Sequence, residues 1–240
     1  MAVRHEIKSQ LAKLLATEDL IVEHRKVETA SFNVQTRVLV LPQWERASST
    51  VYDLLVGHEV GHALYTPDEN WIKYKKIPPQ FVNVVEDARI EKLMKRKYAG
   101  LSKTFYRGYK ELNDEDFFAI SDSDVTDFNL ADRANLYFKV GNFLDLSFTA
   151  EESEIIKMID DCETFEDTLA AAEALYKYCK QQLEKPKTQP EVPQNDGNTE
   201  GDVEETEQGE SEQKESETQM SDGDDGGVSD VDLEVQTADA

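Results

Sequence analysis

The sequence predicts an α+β fold, in which a mostly helical domain with a small N-terminal β-sheet spans residues 1–185 and a disordered acidic tail spans residues 186–240. Apolar residues recur at helical spacing through most of the first part, and apolar–polar alternation near its start indicates strands. The tail holds 18 Asp and Glu against two Lys, with no aromatic residue. This composition offers too little apolar surface to offset the entropy of ordering.

The first predicted elements are a helix and a small sheet. An amphipathic helix over residues 3–16 has an apolar face made of Val3, Ile7, Leu11, Leu14 and Leu15. The following segment, LIVEHRKVETASFNVQTRVLVLPQW (residues 20–44), alternates apolar and polar residues and is rich in β-branched types. It predicts two or more strands that end at Pro42.

Helices dominate the rest of the domain. Ser48, Ser49 and Thr50 are cap candidates for a helix that contains LLVGHEVGHALYTP (residues 54–67). Pro78 and Pro79 suit the first turn of a helix that ends near Gly100. Helical periodicity returns in residues 132–144 and 164–183, and the segments between are polar and predict loops.

Composition also limits the classes of function. The net charge is −24, of which −16 belongs to the tail, and no basic stripe suits nucleic acid as the primary ligand. No segment approaches 18 uninterrupted apolar residues, and two cysteines are too few for a disulfide framework. We therefore expect a soluble cytoplasmic protein without a membrane or nucleic-acid partner, whose acidic tail is a candidate surface for a protein partner.

The HEVGH sequence within the second predicted helix indicates a metal site. Residues four apart on a helix differ by only about 40° in rotation, so His58 and His62 present two imidazoles on one face. Glu59 points elsewhere, where it could hold a water activated by the metal, as in zinc hydrolases. The alternative is a buried helix whose histidines only form hydrogen bonds, but every polar group of such a helix would need its own partner.

The residues flanking the motif favour the metal site. Gly57 and Gly61 lie in the middle of an uncharged helix, where each glycine costs about 1 kcal/mol relative to alanine. This cost indicates that the backbone must pack closely at this point.

A third ligand is expected from NVVEDARIE (residues 83–91) on the next helix. Glu86 is the favoured residue, because it shares a predicted buried face and a buried carboxylate needs a cation or another partner. Asp87 is next, since spacing alone cannot separate adjacent carboxylates. Asp87 and Glu91 are alternatively partners of a ligating histidine or of Arg89, and Glu86 could instead pair with Arg89 at the surface.

These segments together resemble zinc metallopeptidases of the gluzincin type, in which a glutamate on a following helix completes HExxH. VETASFNVQTRVLVLPQW (27–44), LLVGHEVGHALYTP and NVVEDARIEKLMKRKYAGL (83–101) resemble peptidases encoded by tailed bacteriophages of the T4-like kind, and the likeness spans about residues 1–185. The order of domain and acidic tract is also similar to cobaltochelatase CobT-type proteins, but these 240 residues contain no signature of their von Willebrand factor A domain.

The resemblance implies a zincin-like domain with Zn²⁺ on His58, His62 and Glu86, and with Glu59 as general base. It also suggests that TASFNVQ (residues 29–35) is an edge strand that aligns an extended peptide, although an ordinary core strand is equally compatible with the pattern. Three downstream tyrosines are candidate oxyanion donors, namely Tyr98, Tyr106 and Tyr109.

Two functions follow as hypotheses. The leading one is a zinc-dependent metallopeptidase that hydrolyses a polypeptide in the cytoplasm, or in the host cytoplasm if a phage encodes it. The alternative is a metal-stabilised, non-catalytic interaction module, either an adaptor of an ATPase or a phage assembly factor. Glu59 favours catalysis, because a structural zinc has four protein ligands and needs no base.

Overall fold

The computed structural model describes residues 5–44, 47–68, 77–184, 235 and 237 of the chain. These residues form three β-strands, seven α-helices and a short 3₁₀ helix, which confirms the predicted α+β, mostly helical arrangement. The helices are α1 (His5–Ala16), α2 (Ser49–Tyr65), α3 (Pro79–Lys97), α4 (Ala99–Asp114), α5 (Leu130–Val140), α6 (Ala150–Asp160) and α7 (Phe165–Glu184). None of the helices in these ranges is long and apolar enough to cross a membrane.

A three-stranded sheet follows α1. It consists of β1 (Ile21–Arg25), β2 (Ser31–Asn33) and β3 (Val38–Pro42), so the last strand ends at Pro42 as predicted. The strand order is β1-β3-β2, in which β3 is parallel to β1 and antiparallel to β2. Arg37, in the turn between β2 and β3, donates a 2.8 Å hydrogen bond to the carbonyl oxygen of Ala63. The sheet is thereby fixed against α2, with β2 at one edge.

Helix α1 buries the predicted apolar face only in part, where Leu11 and Leu15 are partly buried and pack against the core. The residues that it buries are Lys8, Ala12 and Ala16. Ile7 and Leu14 of the predicted apolar face are 47% and 76% exposed, and Val3 lies outside the described residues. The small alanines allow α1 to approach α2 closely, and the Lys8 ammonium is paired with the Asp53 carboxylate of α2 at 2.5 Å. Two small alanines and an ion pair thus accompany the two partly buried leucines in this helix.

Helix α2, which carries the HEVGH sequence, is packed closely on two sides. The Ser48 side chain caps it, as the sequence predicts, by accepting hydrogen bonds from two backbone N–H groups of its first turn. A Cβ atom at Gly57 would lie 3.0 Å from the ring of Phe105 in α4. A Cβ atom at Gly61 would lie 2.8 Å from the Cδ1 atom of Ile90 in α3. The two glycines therefore permit the close approach that was inferred from their cost in a helix.

Two helices occupy segments for which the sequence predicts polar loops. Helix α3 runs from Pro79 to Lys97 as expected, but α4 follows it almost without interruption and α6 precedes α7. Gly100 suggests a helix end, whereas it is the second residue of α4. The buried residues of α4 fall at helical spacing, at Phe105, Gly108, Tyr109 and Leu112.

The core contains two hydrophobic clusters that meet along α3. The first is formed mainly by α1, the sheet, α2 and α4 and includes Met94 of α3. The second is formed mainly by α3, α5, α6 and α7 and includes Val84 and Val85. Helix α3, like α5, therefore contributes to both halves of the core.

The predicted tail, residues 186–240, lies outside the described residues except at Val235 and Thr237. Both of these residues are buried, and Val235 belongs to the second hydrophobic cluster. These two positions of the tail therefore contact the domain, and the predicted disorder of the tail stays a prediction.

We expect Gly108→Ala to lower the free energy of unfolding by about 1 kcal/mol. An added Cβ atom would lie 2.9 Å from the Cβ atom of Leu54, which cannot move without the backbone of α2. Overpacking costs about 1–3 kcal/mol, which outweighs the roughly 1 kcal/mol that alanine gains over glycine in a helix. Denaturant unfolding measures the change. Gly100→Ala is the control, because its added Cβ would have no atom within 4 Å other than those of its neighbours in the chain and of its own helix backbone. An equal or stabilising effect at both positions would contradict the close α2–α4 contact.

Candidate metal centre

Two imidazoles of α2 and one carboxylate of α3 converge at a single point. The Nε2 atoms of His58 and His62 lie 3.5 Å and 3.2 Å from the Oδ1 atom of Asp87. His58, His62 and Asp87 are the one group in the described part of the chain with the ligand atoms of three such residues within 4.8 Å of one another. The spacing of four between the histidines produces this convergence, as the sequence predicts.

The separations between these atoms suit a tetrahedral metal ion. Zinc lies about 2.0–2.2 Å from imidazole nitrogen and carboxylate oxygen, so two of its tetrahedral ligands are about 3.3–3.6 Å apart. The 3.5 Å distance lies within this range, and the 3.2 Å distance lies just below it. Three protein ligands leave one coordination position for a small molecule, which is typical of catalytic rather than structural zinc sites.

The other ring nitrogen of each histidine is held by a hydrogen bond. His58 Nδ1 lies 3.0 Å from Glu91 Oε1, and His62 Nδ1 lies 2.9 Å from Thr66 Oγ1. Because an ionised carboxylate can only accept hydrogen bonds, the Nδ1 atom of His58 carries a proton and donates a hydrogen bond to Glu91. This arrangement leaves each Nε2 atom directed at Asp87, and such supporting bonds are typical of ligating histidines.

Glu91 is the centre of a buried network behind His58. Its carboxylate accepts a short hydrogen bond from the Tyr109 hydroxyl and forms an ion pair with Lys95 at 3.0 Å. Burial opposes ionisation of Glu91, but Lys95 and His58 hold its pKa below the ordinary value. Glu91 is therefore a charged acceptor that fixes the orientation of His58, one of the supporting roles that the sequence suggests for it.

Glu86, the favoured third ligand from the sequence, is directed away from the two Nε2 atoms. Arg89 donates to both of its carboxylate oxygens, from Nε at 2.8 Å and from Nη2 at 2.6 Å. The hydroxyls of Thr66 and Thr168 also donate to it, at 2.6 Å and 3.0 Å. The pairing with Arg89 that the sequence offers as the alternative is present, but it is buried rather than at the surface. Glu86 therefore supports His62 through Thr66. Asp87 occupies the third-ligand position that was expected for Glu86.

The register of α3 explains this exchange of roles. Ile90 and Met94 contact α2 at Gly61. Asp87 and Glu91 lie on the same stripe, at i, i+3, i+4 and i+7. Glu86 lies about 100° further round the helix, where it faces α7. The predicted buried face of α3 groups Glu86 with Ile90 and Met94. A helical wheel drawn from the sequence therefore does not show that Asp87, rather than Glu86, faces α2.

Glu59 lies beside the three convergent residues and lines the same cleft. Its side chain is buried, and burial raises its pKa above the ordinary value, although the charges of His58 and Lys139 oppose this shift. A carboxylate with a raised pKa is a better proton acceptor near neutral pH than an ordinary one.

Lys139 of α5 is a residue of this site that the sequence analysis does not identify. Its Nζ atom lies 3.2 Å from Asp87 Oδ2, the oxygen that does not face the histidines. Burial favours a neutral Asp87, but His58 and Lys139 hold its pKa well below the ordinary value. The available signal is a lysine within the otherwise apolar stretch LYFKV of a predicted helix.

A cleft with a volume of about 400 Å³ gives access to the site. Its walls come from both hydrophobic clusters and from the sheet, and residues 29–32 and Val34 form the side next to β2. Tyr109 also lines the cleft, but its hydroxyl is bound to Glu91. Of the other two candidate tyrosines, Tyr98 donates to a backbone oxygen of α1 and Tyr106 is half exposed.

Comparisons with known proteins do not extend this description. No protein family, no curated protein and no solved structure matches the chain at a significant level. The resemblance to gluzincin and bacteriophage peptidases therefore stays a prediction that rests on the sequence motifs.

We expect Asp87→Asn to lower mainly the zinc affinity and Glu86→Gln to lower mainly the stability of the fold. Asp87→Asn should reduce zinc affinity by more than 100-fold, because loss of a supporting residue alone typically costs only about 10 to 100-fold. Glu86→Gln should change affinity less but lower the free energy of unfolding by about 3–5 kcal/mol, because it leaves the buried Arg89 charge unbalanced. Competition with a chromophoric chelator and denaturant unfolding measure the two effects. A larger affinity loss for Glu86→Gln would return the ligand role to Glu86.

Zinc affinity should also rise with pH. Burial opposes protonation of His58, but Asp87 and Glu91 raise its pKa from 6.5 to about 10 in the metal-free protein. Because that pKa lies above the range from pH 6 to 8, zinc must displace one proton throughout the range. Affinity should then increase by about tenfold per pH unit. Competition with a chelator of known pH dependence measures this slope, and a flat profile would contradict the protonated state of His58.

Proposed function

We propose that the chain is a zinc-dependent metallopeptidase that hydrolyses peptide bonds in polypeptides. The observation that supports this most directly is the convergence of His58 Nε2, His62 Nε2 and Asp87 Oδ1 at tetrahedral spacing beside the buried carboxylate of Glu59. Three ligands with a neighbouring base are the combination that metal-assisted hydrolysis requires.

The roles of the residues follow from their positions. His58, His62 and Asp87 hold the metal, which when bound supplies a Lewis acid for the peptide carbonyl group and the attacking water. Glu59 accepts a proton from that water and passes it to the leaving amine. Glu91 and Thr66 keep the two imidazoles oriented. The third ligand is thus an aspartate, which departs from the gluzincin pattern but offers the same type of oxygen.

An edge strand beside the cleft supports a polypeptide as substrate. Strand β2 pairs with β3 on one side, and the described residues contain no strand on its other side. Because residues 29–32 line the cleft together with His58 and Glu59, an extended peptide that pairs with β2 would pass the site. The edge position agrees with the first of the two interpretations of TASFNVQ.

The apolar part of the cleft wall and the state of the cysteines refine the proposal. Leu55, Leu112 and Phe118 line the cleft and suit an apolar side chain of the substrate. Cys162 and Cys179 are both unpaired and buried, and burial raises the pKa of each thiol to about 11. Free cysteines suit a reducing compartment, so we place the activity in the cytoplasm, that of the host if a phage encodes the chain.

Glu59→Gln should retain zinc and fold but lower turnover by about 10² to 10⁴-fold, because the amide has nearly the same shape and cannot accept the proton. The assay is cleavage of a mixed peptide library by the wild type, the variant and a chelated sample, read by mass spectrometry. Zinc content and thermal unfolding of Glu59→Gln are the controls. Identical peptide profiles in all three samples, with zinc present in the first two, would favour the non-catalytic interaction module instead.

A further inference from the structure

Two residues near the end of the acidic tail are buried against the domain, where Thr237 is bound by side chains of α5 and Val235 belongs to the second hydrophobic cluster. Thr237 is 2% exposed and Val235 is 7% exposed. The residue numbers of Thr237 and its partner Asp132 differ by 105, so the contact joins distant parts of the chain. The contact of Val235 and Thr237 with the domain is separate from the candidate metal centre. Nothing in the proposed peptidase activity requires this contact.

The polar groups of Thr237 are all bound by two side chains of α5. Asp132 Oδ1 accepts from the backbone N–H of Thr237 at 2.8 Å and from its hydroxyl at 2.9 Å. Asn135 Nδ2 donates to the carbonyl oxygen of Thr237 at 2.5 Å and to its hydroxyl oxygen at 3.1 Å. The hydroxyl thus acts as donor and acceptor at once, which only serine or threonine can do with this geometry.

The side chain of Asp132 is also held by a residue at the start of α5. The amide of Asn129, the cap residue of α5, donates to Asp132 Oδ2 at 2.8 Å, so the carboxylate keeps Oδ1 directed at Thr237. Asp132 and Asn135 are 1% and 2% exposed, and buried polar groups of this kind require matched partners. A ligand that lacked the hydroxyl would lose one hydrogen bond to each of these two side chains, which favours threonine or serine at this position.

Val235 adds an apolar anchor two positions before the threonine. It joins the hydrophobic cluster that includes Ile77, Phe81 and Val82 of the α3 region. Val235 and Thr237, two positions apart, are thus both buried against the domain. The combination selects a short peptide segment with a small apolar residue followed, two positions later, by a threonine or serine.

We propose that Asp132 and Asn135, with the apolar seat for Val235, form a peptide-recognition site for the pattern Val-x-Thr, whose occupant is residues 235–237 of the same chain. Intramolecular binding does not depend on protein concentration, which favours this occupant over a second copy at ordinary concentrations. The 50 residues from 185 to 234 provide ample chain, because an extended chain reaches about 3.3–3.6 Å per residue. The site therefore anchors the far end of the acidic tract to the domain.

Amide hydrogen exchange in the full 240-residue chain tests the proposal. The Thr237 amide should exchange at least tenfold more slowly in the wild type than in a free peptide of residues 229–240. Thr237→Ser should keep this protection, whereas Thr237→Val and Asp132→Ala should lose it. Thr237→Val lies outside the helical domain, so its result does not depend on how Asp132→Ala folds. Wild-type exchange at the free-peptide rate, or equal protection in Thr237→Val, would overturn the proposal.

A binding measurement identifies the occupant. A fluorescent peptide of residues 229–240 should bind the full chain with Val235→Asp and Thr237→Val at least tenfold more tightly than the wild type, whose own segment competes. The same peptide with Thr237→Val is the matched control and should bind at least tenfold more weakly. Equal binding of both peptides would overturn the recognition site, and protection that increases with protein concentration together with dimer formation would overturn the intramolecular occupant.

Discussion

Burial of two imidazoles between α2 and α3 requires a polar partner for each of their four ring nitrogens, and the rest of the centre is organised by this requirement. The two Nδ1 atoms are bound separately, by Glu91 and by Thr66. The two Nε2 atoms share one oxygen, that of Asp87. Because one carboxylate oxygen serves two nitrogens, the site concentrates donor atoms at a point where a cation can replace the proton of His58.

Helix α3 meets this requirement by using three carboxylates for three different tasks. Asp87 faces the imidazoles, Glu91 holds His58 from behind, and Glu86 joins Thr66 to Arg89. Each carboxylate has a cation close to it, so burial leaves none of them unbalanced. Each task thus has an ion pair of its own, formed with Lys139 for Asp87, with Lys95 for Glu91 and with Arg89 for Glu86.

The parts of the fold and site that could be predicted are those determined by local periodicity. The four-residue spacing of His58 and His62, the cap at Ser48 and the two glycines of α2 all act within a few residues, and the structure agrees with each prediction. The choice between Glu86 and Asp87 depends on the rotation of α3 against α2, which sequence spacing leaves free by about 100°. Lys139 and Thr237 reach their partners from distant positions, and α1 buries its alanines more completely than its leucines. These features depend on tertiary packing, which no local pattern encodes.

The topology of the sheet places a constraint on how this cleft can diversify. Strands β1 and β3 are parallel, and such pairs need a crossover of a dozen or more residues. Here the twelve residues from 26 to 37 make that crossover, and β2 lies within it. The strand at the rim of the cleft is therefore also the connection that allows the two other strands to pair. Substitutions could vary its side chains, but deletion of this strand would shorten the connection below the length that a parallel pair needs, so a new specificity must arise without loss of the strand.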